Sequence, residues 1–241
     1  MTRVLNAVPS ALPGPIRRVS RRSLRAASVP LVMAAQPLAT VINLRIAYTR
    51  STPTAPEVIS NYTRGLVLFG RSDARWVKFE WRSFPTRAVI TPETANVPKN
   101  HRRFQRRTEK DKRFDQDFEK IIRSCQEGRT GWIWITPALI EVYREVRRLG
   151  FVSTVGTYRD GRLVGGLWGI GIGRVFGVMS MFHREDHAGS LAVAALVDAV
   201  LSEDRWSVID FGVLTPNFQM YGAREIPAEH FRELIWSNLK C

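Results

Sequence analysis

The chain has 241 residues, 44% of them hydrophobic, enough to bury a substantial core, and no window approaches the roughly 20 uninterrupted apolar residues that a membrane-spanning helix requires. Its formal charge of +14 is concentrated: residues 1–56 carry eight Arg and no acid, the band from Lys99 to Arg113 carries eight Lys or Arg against Glu109 and Asp111, and the remainder is neutral. Clustered cations gain affinity by releasing counterions from phosphates, so nucleic acid is the leading partner class, with a solvated basic face as the plainer alternative. The two cysteines, Cys125 and Cys241, have neither zinc spacing nor the pattern of a disulfide framework, and they fit a reducing compartment.

Residues 1–45 read as a basic, flexible arm, rich in Arg and Ser with prolines at 9, 13, 15, 30 and 37. Cytoplasmic localisation is expected, but SRRSLR at Ser20 to Arg25 also suits a twin-arginine export signal, and the acid-free composition suits an organellar transit segment. Residues 46–98 are expected to form a small N-terminal domain. There Thr54 caps a short helix through Pro56, Glu57, Val58, Ile59 and Tyr62 that ends at Gly65, and RWVKFEW reads as a strand closed by Pro85.

Residues 99–241 carry the main domain. A helix over 115–128 presents Phe118, Ile121, Ile122 and Cys125 as an apolar stripe, and a second helix runs from Pro137 to Leu149. Three strands follow, FVSTVGTYR, RLVGGLWGIGI and RVFGVMSMF, the first two joined by Asp160-Gly161, a strong hairpin signal. An apolar helix from Ala188, a strand WSVIDFGV buried on both faces, and a helix beginning near Pro227 complete the order. Two helices, an antiparallel meander, a helix and a strand make an α+β arrangement, the one expected of a GNAT-like acyltransferase domain.

Few residues stand out chemically. His183 and His187 are four apart, but HREDH offers no third ligand, so no metal and no cofactor is expected. Asp210 places an acid inside a buried strand, where an ionised carboxylate needs a partner; it is either functional or tied to backbone amides or an arginine. Trp132 and Trp134 could stack on bases, worth roughly 1–3 kcal/mol per base, or could be core. HRRFQRRTEKDKR mixes arginines with Phe104, which suits a phosphate grip anchored to the core.

From about Thr54 to Leu234 the chain resembles the leucyl/phenylalanyl-tRNA-protein transferases, through SNYTRG, FPTRAV, HRRFQRR, WITPALIEVYREVRRLGF, LVGGLWGI, SMF, VIDFGVL and YGAREIP in the family's order. The resemblance implies transfer of Leu or Phe from aminoacyl-tRNA to the amino terminus of a protein or peptide that begins with Arg or Lys, an activity linked to protein degradation. It implies tRNA contacts at Arg102, Arg103, Arg106 and Arg107, adenosine and aminoacyl contacts at Trp134, and a strand acid beside the acceptor amine at Asp210. It also implies an apolar donor pocket marked by Gly165, Gly166, Ser180, Met181 and Phe182. The chain departs from the family pattern at four places: GLVLFG lacks the usual Pro and Trp, Met179 replaces a glutamate, Gly212 replaces a glutamine, and TPNFQMYGA lacks a histidine. Two other readings stay open. One is a catalytically impaired tRNA-binding relative; the other is an acyl-CoA-dependent transferase, although HREDHAGSLA lacks the pyrophosphate loop that such an enzyme needs at that junction.

Overall fold

The computed structural model describes residues 45–49, 51–72, 78–107, 111–127, 133–202 and 205–239. The arm expected over residues 1–45, apart from Arg45, lies outside the described residues, as do Trp132, Cys241 and the side chains of Arg106 and Arg107.

The first elements are strand β1 (Arg45–Thr49), helix α1 (Ala55–Thr63) and strands β2 (Leu66–Gly70) and β3 (Phe79–Ser83). α1 begins as the sequence predicts. Thr54 and Glu57 form a reciprocal capping box, with the Thr54 amide donating to Glu57 Oε2 at 2.7 Å. The three strands form an antiparallel sheet in the order β1-β3-β2, held across its middle by the buried Glu80, which pairs with Arg71 and Arg82.

Strand β4 (Thr86–Ile90), helix α2 (Lys99–Arg107), strand β5 (Asp111–Phe114) and helices α3 (Phe118–Gln126) and α4 (Pro137–Arg148) come next. They are followed by β6 (Val152–Arg159), β7 (Arg162–Ile172), β8 (Val175–His183), α5 (Ala188–Leu201), β9 (Val208–Asp210), α6 (Pro216–Gln219), β10 (Arg224–Pro227) and α7 (Ala228–Ser237). The α+β order and the β6-β7-β8 meander are as expected, and Asp160 and Gly161 both take positive φ, as a tight hairpin turn requires. α3 starts three residues later than the periodicity suggests, because Asp115 and Asp117 adopt left-handed backbone. Their carboxylates tie this corner to β6: Asp115 accepts from the Thr154 amide, and Asp117 accepts from the Tyr158 hydroxyl.

The large sheet runs β10-β4-β9-β8-β7-β6-β5, with β8 and β9 parallel and every other pair antiparallel. β4 was expected in the small N-terminal domain, yet it lies inside this sheet between β9 and β10, so a boundary at residue 98 does not separate the two sheets. Alternation along the strands sorts side chains onto two faces. Ala88, Ile90, Val155, Leu167, Phe176 and Ile209 pack with α5 on one. Arg87, Trp168 and Asp210 face the other layer, where they meet Tyr62 of α1, Phe118 of α3, Tyr143 of α4 and Phe231 of α7. Among the described residues no helix is long and apolar enough to cross a membrane.

Thr54→Ala removes the half of the capping box in which the Thr54 hydroxyl accepts from the Glu57 amide, leaves the main-chain amide at position 54 donating to Glu57, and is expected to lower stability by about 1 kcal/mol. Urea denaturation should therefore show a lower midpoint with an unchanged m-value.

Candidate functional site

Asp210, singled out in the sequence, meets a charge that sequence reasoning passed over. Arg87 donates to Asp210 through Nε at 3.1 Å and through Nη2, while its Nη1 donates to the Gly65 carbonyl at 3.1 Å. The Tyr62 hydroxyl donates to Asp210 Oδ2 at 2.8 Å, and the Gly212 amide donates to Oδ1 at 2.8 Å. Both charged residues are 1% exposed, and the guanidinium lies 4.4 Å from the Phe231 ring centre. Burial, and then the neighbouring Asp210 charge, push the Tyr62 phenol well above its usual range, so it stays protonated and donates. Burial alone would lower the Arg87 pKa; Asp210 and Tyr62 outweigh it and raise it.

This geometry revises the role expected for Asp210. Both of its oxygens are occupied and out of solvent, so no lone pair is presented to an acceptor amine. Tyr62 reaches it across Gly177, where any Cβ would overlap the phenol hydroxyl. Gly212 has φ +73, a conformation a side chain would strain, and its amide is committed to Asp210. A β9 extending to Val213 was expected; the strand instead ends at Asp210, before this turn.

The turn opens a fork. β8 and β9 pair only from Val175↔Val208 to Gly177↔Asp210, after which β8 continues to His183 with no strand of the described residues beside it on that edge. Its two arms carry partly buried apolar side chains, Val178 and Met181 from β8 and Leu214 and Phe218 from the segment after β9. Phe218 is stacked on Phe211 with ring centres 4.1 Å apart. Met179 is the extra residue of a β-bulge, since Trp168 pairs with Ser180 and Gly169 with Val178. The Met179 thioether accepts from the buried Tyr143 hydroxyl at 3.8 Å.

Of the expected donor-pocket residues, Met181 lies on the β8 arm of the fork, partly buried against the core. Gly165 does not, because a Cβ there would come within 2.6 Å of Ala188; it thins β7 for the start of α5. Gly166 packs beneath Phe182, and Ser180 and Phe182 are buried. Trp134 is buried too, stacked at 6.4 Å on Trp168 and 4.9 Å from Phe69, so it is core rather than an open platform.

The basic band forms α2, docked on the flank of α5. Phe104 lies 4.6 Å from the His187 ring, Gln105 donates to Asp198 at 3.2 Å, and His101 Nδ1 meets the Tyr221 hydroxyl at 2.6 Å. Because Tyr221 donates its own proton to the Ser190 carbonyl, His101 must donate through Nδ1. Burial, and then His187, lower the His101 pKa. Arg102 and Arg103 are left exposed. The structure does not bring them to the Asp210 carboxylate, which faces the opposite layer. It joins their helix instead to Tyr221, on the same chain segment that forms one arm of the fork.

The family profile described as leucyl/phenylalanyl-tRNA protein transferase matches residues 89–236. The chain is 36% identical over 162 residues to the leucyl/phenylalanyl-tRNA--protein transferase of Syntrophobacter fumaroxidans, covering 66% of this chain and 69% of that one. To the protein of the same name from Chlorobium limicola it is 33% identical over 181 residues, covering 74% and 92%. Among solved structures, a GCN5-related N-acetyltransferase from Kribbella flavida aligns with 60% of this chain and 54% of its own, at 14% identity and a TM-score of 0.37, a likeness too loose to bear on function.

Asp210→Ala should leave the Arg87 charge buried without a partner and cost about 3–5 kcal/mol. The double substitution Arg87→Met with Asp210→Leu is expected to recover much of that loss. Urea midpoints of the three proteins check both outcomes.

Proposed function

Because the chain belongs to the leucyl/phenylalanyl-tRNA protein transferase family, we propose that it moves a hydrophobic aminoacyl group of the Leu or Phe type from tRNA to a protein amino terminus that begins with a basic residue. The observation that carries this reading is the fork between β8 and β9, with apolar arms and an arginine-bearing helix docked on one of them. Arg102 and Arg103, with Arg106 and Arg107 following in the chain, grip the tRNA phosphates near its acceptor end. The aminoacyl side chain enters the slot lined by Val178, Met181, Leu214 and Phe218.

The chemistry asks mainly for alignment. An aminoacyl ester is already activated, and an α-amine with a pKa of about 7.7–8.0 is partly neutral at pH 7. The amine attacks the ester carbonyl, the C–N bond forms as the C–O bond to the ribose breaks, and the proton lost by the amine ends on the released hydroxyl or in water. Holding the two reactants together supplies most of the acceleration, and no covalent enzyme intermediate is needed. Asp210 acts at one remove, as a positioning residue: with Arg87 and Tyr62 it fixes the Gly212 amide and hence the point where the strands part.

A second reading, tRNA binding without efficient transfer, is favoured by Met179 and Gly212 standing where the family pattern has polar side chains. One assay separates the two. The purified chain is incubated with tRNA charged with labelled Leu or Phe and with peptides beginning Arg, Lys, Asp or Glu. Labelled peptide from the Arg and Lys acceptors is expected; bound tRNA with no labelled peptide would leave only the binding role.

Val178→Phe fills the slot and should lower the transfer rate about tenfold or more, equivalent to about 1.4 kcal/mol, with tRNA affinity nearly unchanged. Single-turnover transfer and a tRNA titration on the same preparation check this.

A further inference from the structure

We propose that the open cavity between α3 and α4 is a phosphate site that takes a backbone phosphate of the RNA substrate, an assignment that rests on the RNA-dependent function above. The cavity measures about 510 Å³, and its wall includes Lys120, Arg144, Arg147 and Arg148. Arg147 is the cation of this wall that makes no ion pair among the described residues, whereas Lys120, Arg144 and Arg148 each hold an acid. The Arg147 guanidinium lies 5.0 Å from the Phe118 ring centre and Nη2 donates to the Asp115 carbonyl at 3.3 Å, but Nη1 is buried with no hydrogen-bond partner. A guanidinium fits phosphate oxygens better than any neutral acceptor.

The acids in the wall are already committed. Glu119 accepts twice from Arg144, at 2.6 and 2.7 Å, and Asp117 pairs with Lys120 at 2.8 Å and with the Tyr158 hydroxyl at 2.8 Å. Arg148 holds Glu145, outside the wall, at 2.9 Å. These are solvent-exposed pairs, weak enough for a phosphate to compete for the cations. The first turn of α3 also lines the cavity, and its N-cap Asp117, in left-handed backbone, makes no side-chain capping bond, so the positive end of that helix adds to the field.

Position supports RNA rather than a free anion. α2, β5 and α3 follow one another in the chain, and β5, which carries Lys112 and Arg113, is the outermost strand of the large sheet. The cationic track that begins on α2 therefore passes around this edge to the cavity, as a footprint on an extended polyanion would.

The test titrates the full chain with fluorescent uncharged tRNA across a range of salt, and separately with inorganic phosphate and with ATP. The variants are Arg147→Gln, Arg148→Gln and the double variant Arg102→Gln/Arg103→Gln. Arg148 is an exposed side chain, so its variant keeps the test decisive if Arg147→Gln disturbs the fold, which urea unfolding would show. Arg147→Gln and Arg148→Gln are each expected to weaken tRNA binding about 3–10-fold at low salt, and to flatten the log–log salt dependence by about 0.7–0.9 if one phosphate contact is lost. If both leave affinity and slope unchanged while the α2 variant weakens binding, the cavity assignment falls and the RNA-dependent function stands. Wild-type protein that binds no tRNA would overturn both. Binding of inorganic phosphate or ATP that depends on Arg147, with tRNA affinity indifferent to it, would overturn the RNA assignment in favour of a small phosphate ligand.

Discussion

The ion pair between Arg87 and Asp210 fastens the molecule at its centre. It joins residues 123 apart in the chain, on the neighbouring strands β4 and β9, and the Tyr62 hydroxyl binds α1 to the same carboxylate. An isolated charge in this place would be driven toward neutrality or solvent. Here both carboxylate oxygens are filled, and the arginine adds a backbone carbonyl and the faces of surrounding aromatic rings. Neither residue touches the surface, yet together they set the path of every segment that leaves them.

The fork follows from that fastening. With Gly212 turning the chain at positive φ just beyond Asp210, β9 does not continue beside β8, and among the described residues no strand pairs with the remaining length of β8 on that edge. Gly177 is the complementary concession, since only a residue without a side chain lets Tyr62 reach across β8. A buried electrostatic contact and two glycines thus create an opening at the sheet's one parallel junction, and apolar residues on both arms give it a chemical character suited to an acyl group.

Much of the fold was legible because its signals are local. The capping Thr54, the Asp160-Gly161 hairpin, the stripe on α4 and the apolar run of α5 can each be read in a short window, and the structure has each of them. What the sequence hid depends on contacts between distant residues. TRAVI gives no hint that β4 joins the large sheet, and Arg87 looks like a surface charge until Asp210 supplies its partner. The site was legible in outline only. VIDFGV marked Asp210 as an acid needing a partner, but nothing in the window says that the partner is internal. The resemblance made Gly165 a landmark of a donor pocket, but nothing in LVGGLWG says that Ala188 fills the space above it. An arginine within an apolar β-prone run, set against a lone aspartate within another, is the signal that could have paired them.

The placing of β4 has a consequence for how the chain is made. It is flanked by β9 and β10, whose residues lie more than a hundred positions further along, so it emerges from the ribosome long before either neighbour exists. The antiparallel sheet of β1, β2 and β3 can close early, whereas β4 must wait, with unsatisfied backbone on both sides, until β9 and β10 have been synthesised. Vulnerability to aggregation or proteolysis should therefore last from the emergence of β4 to that of its two neighbours, and a chain that stops before Arg224 would leave one edge of β4 permanently uncovered.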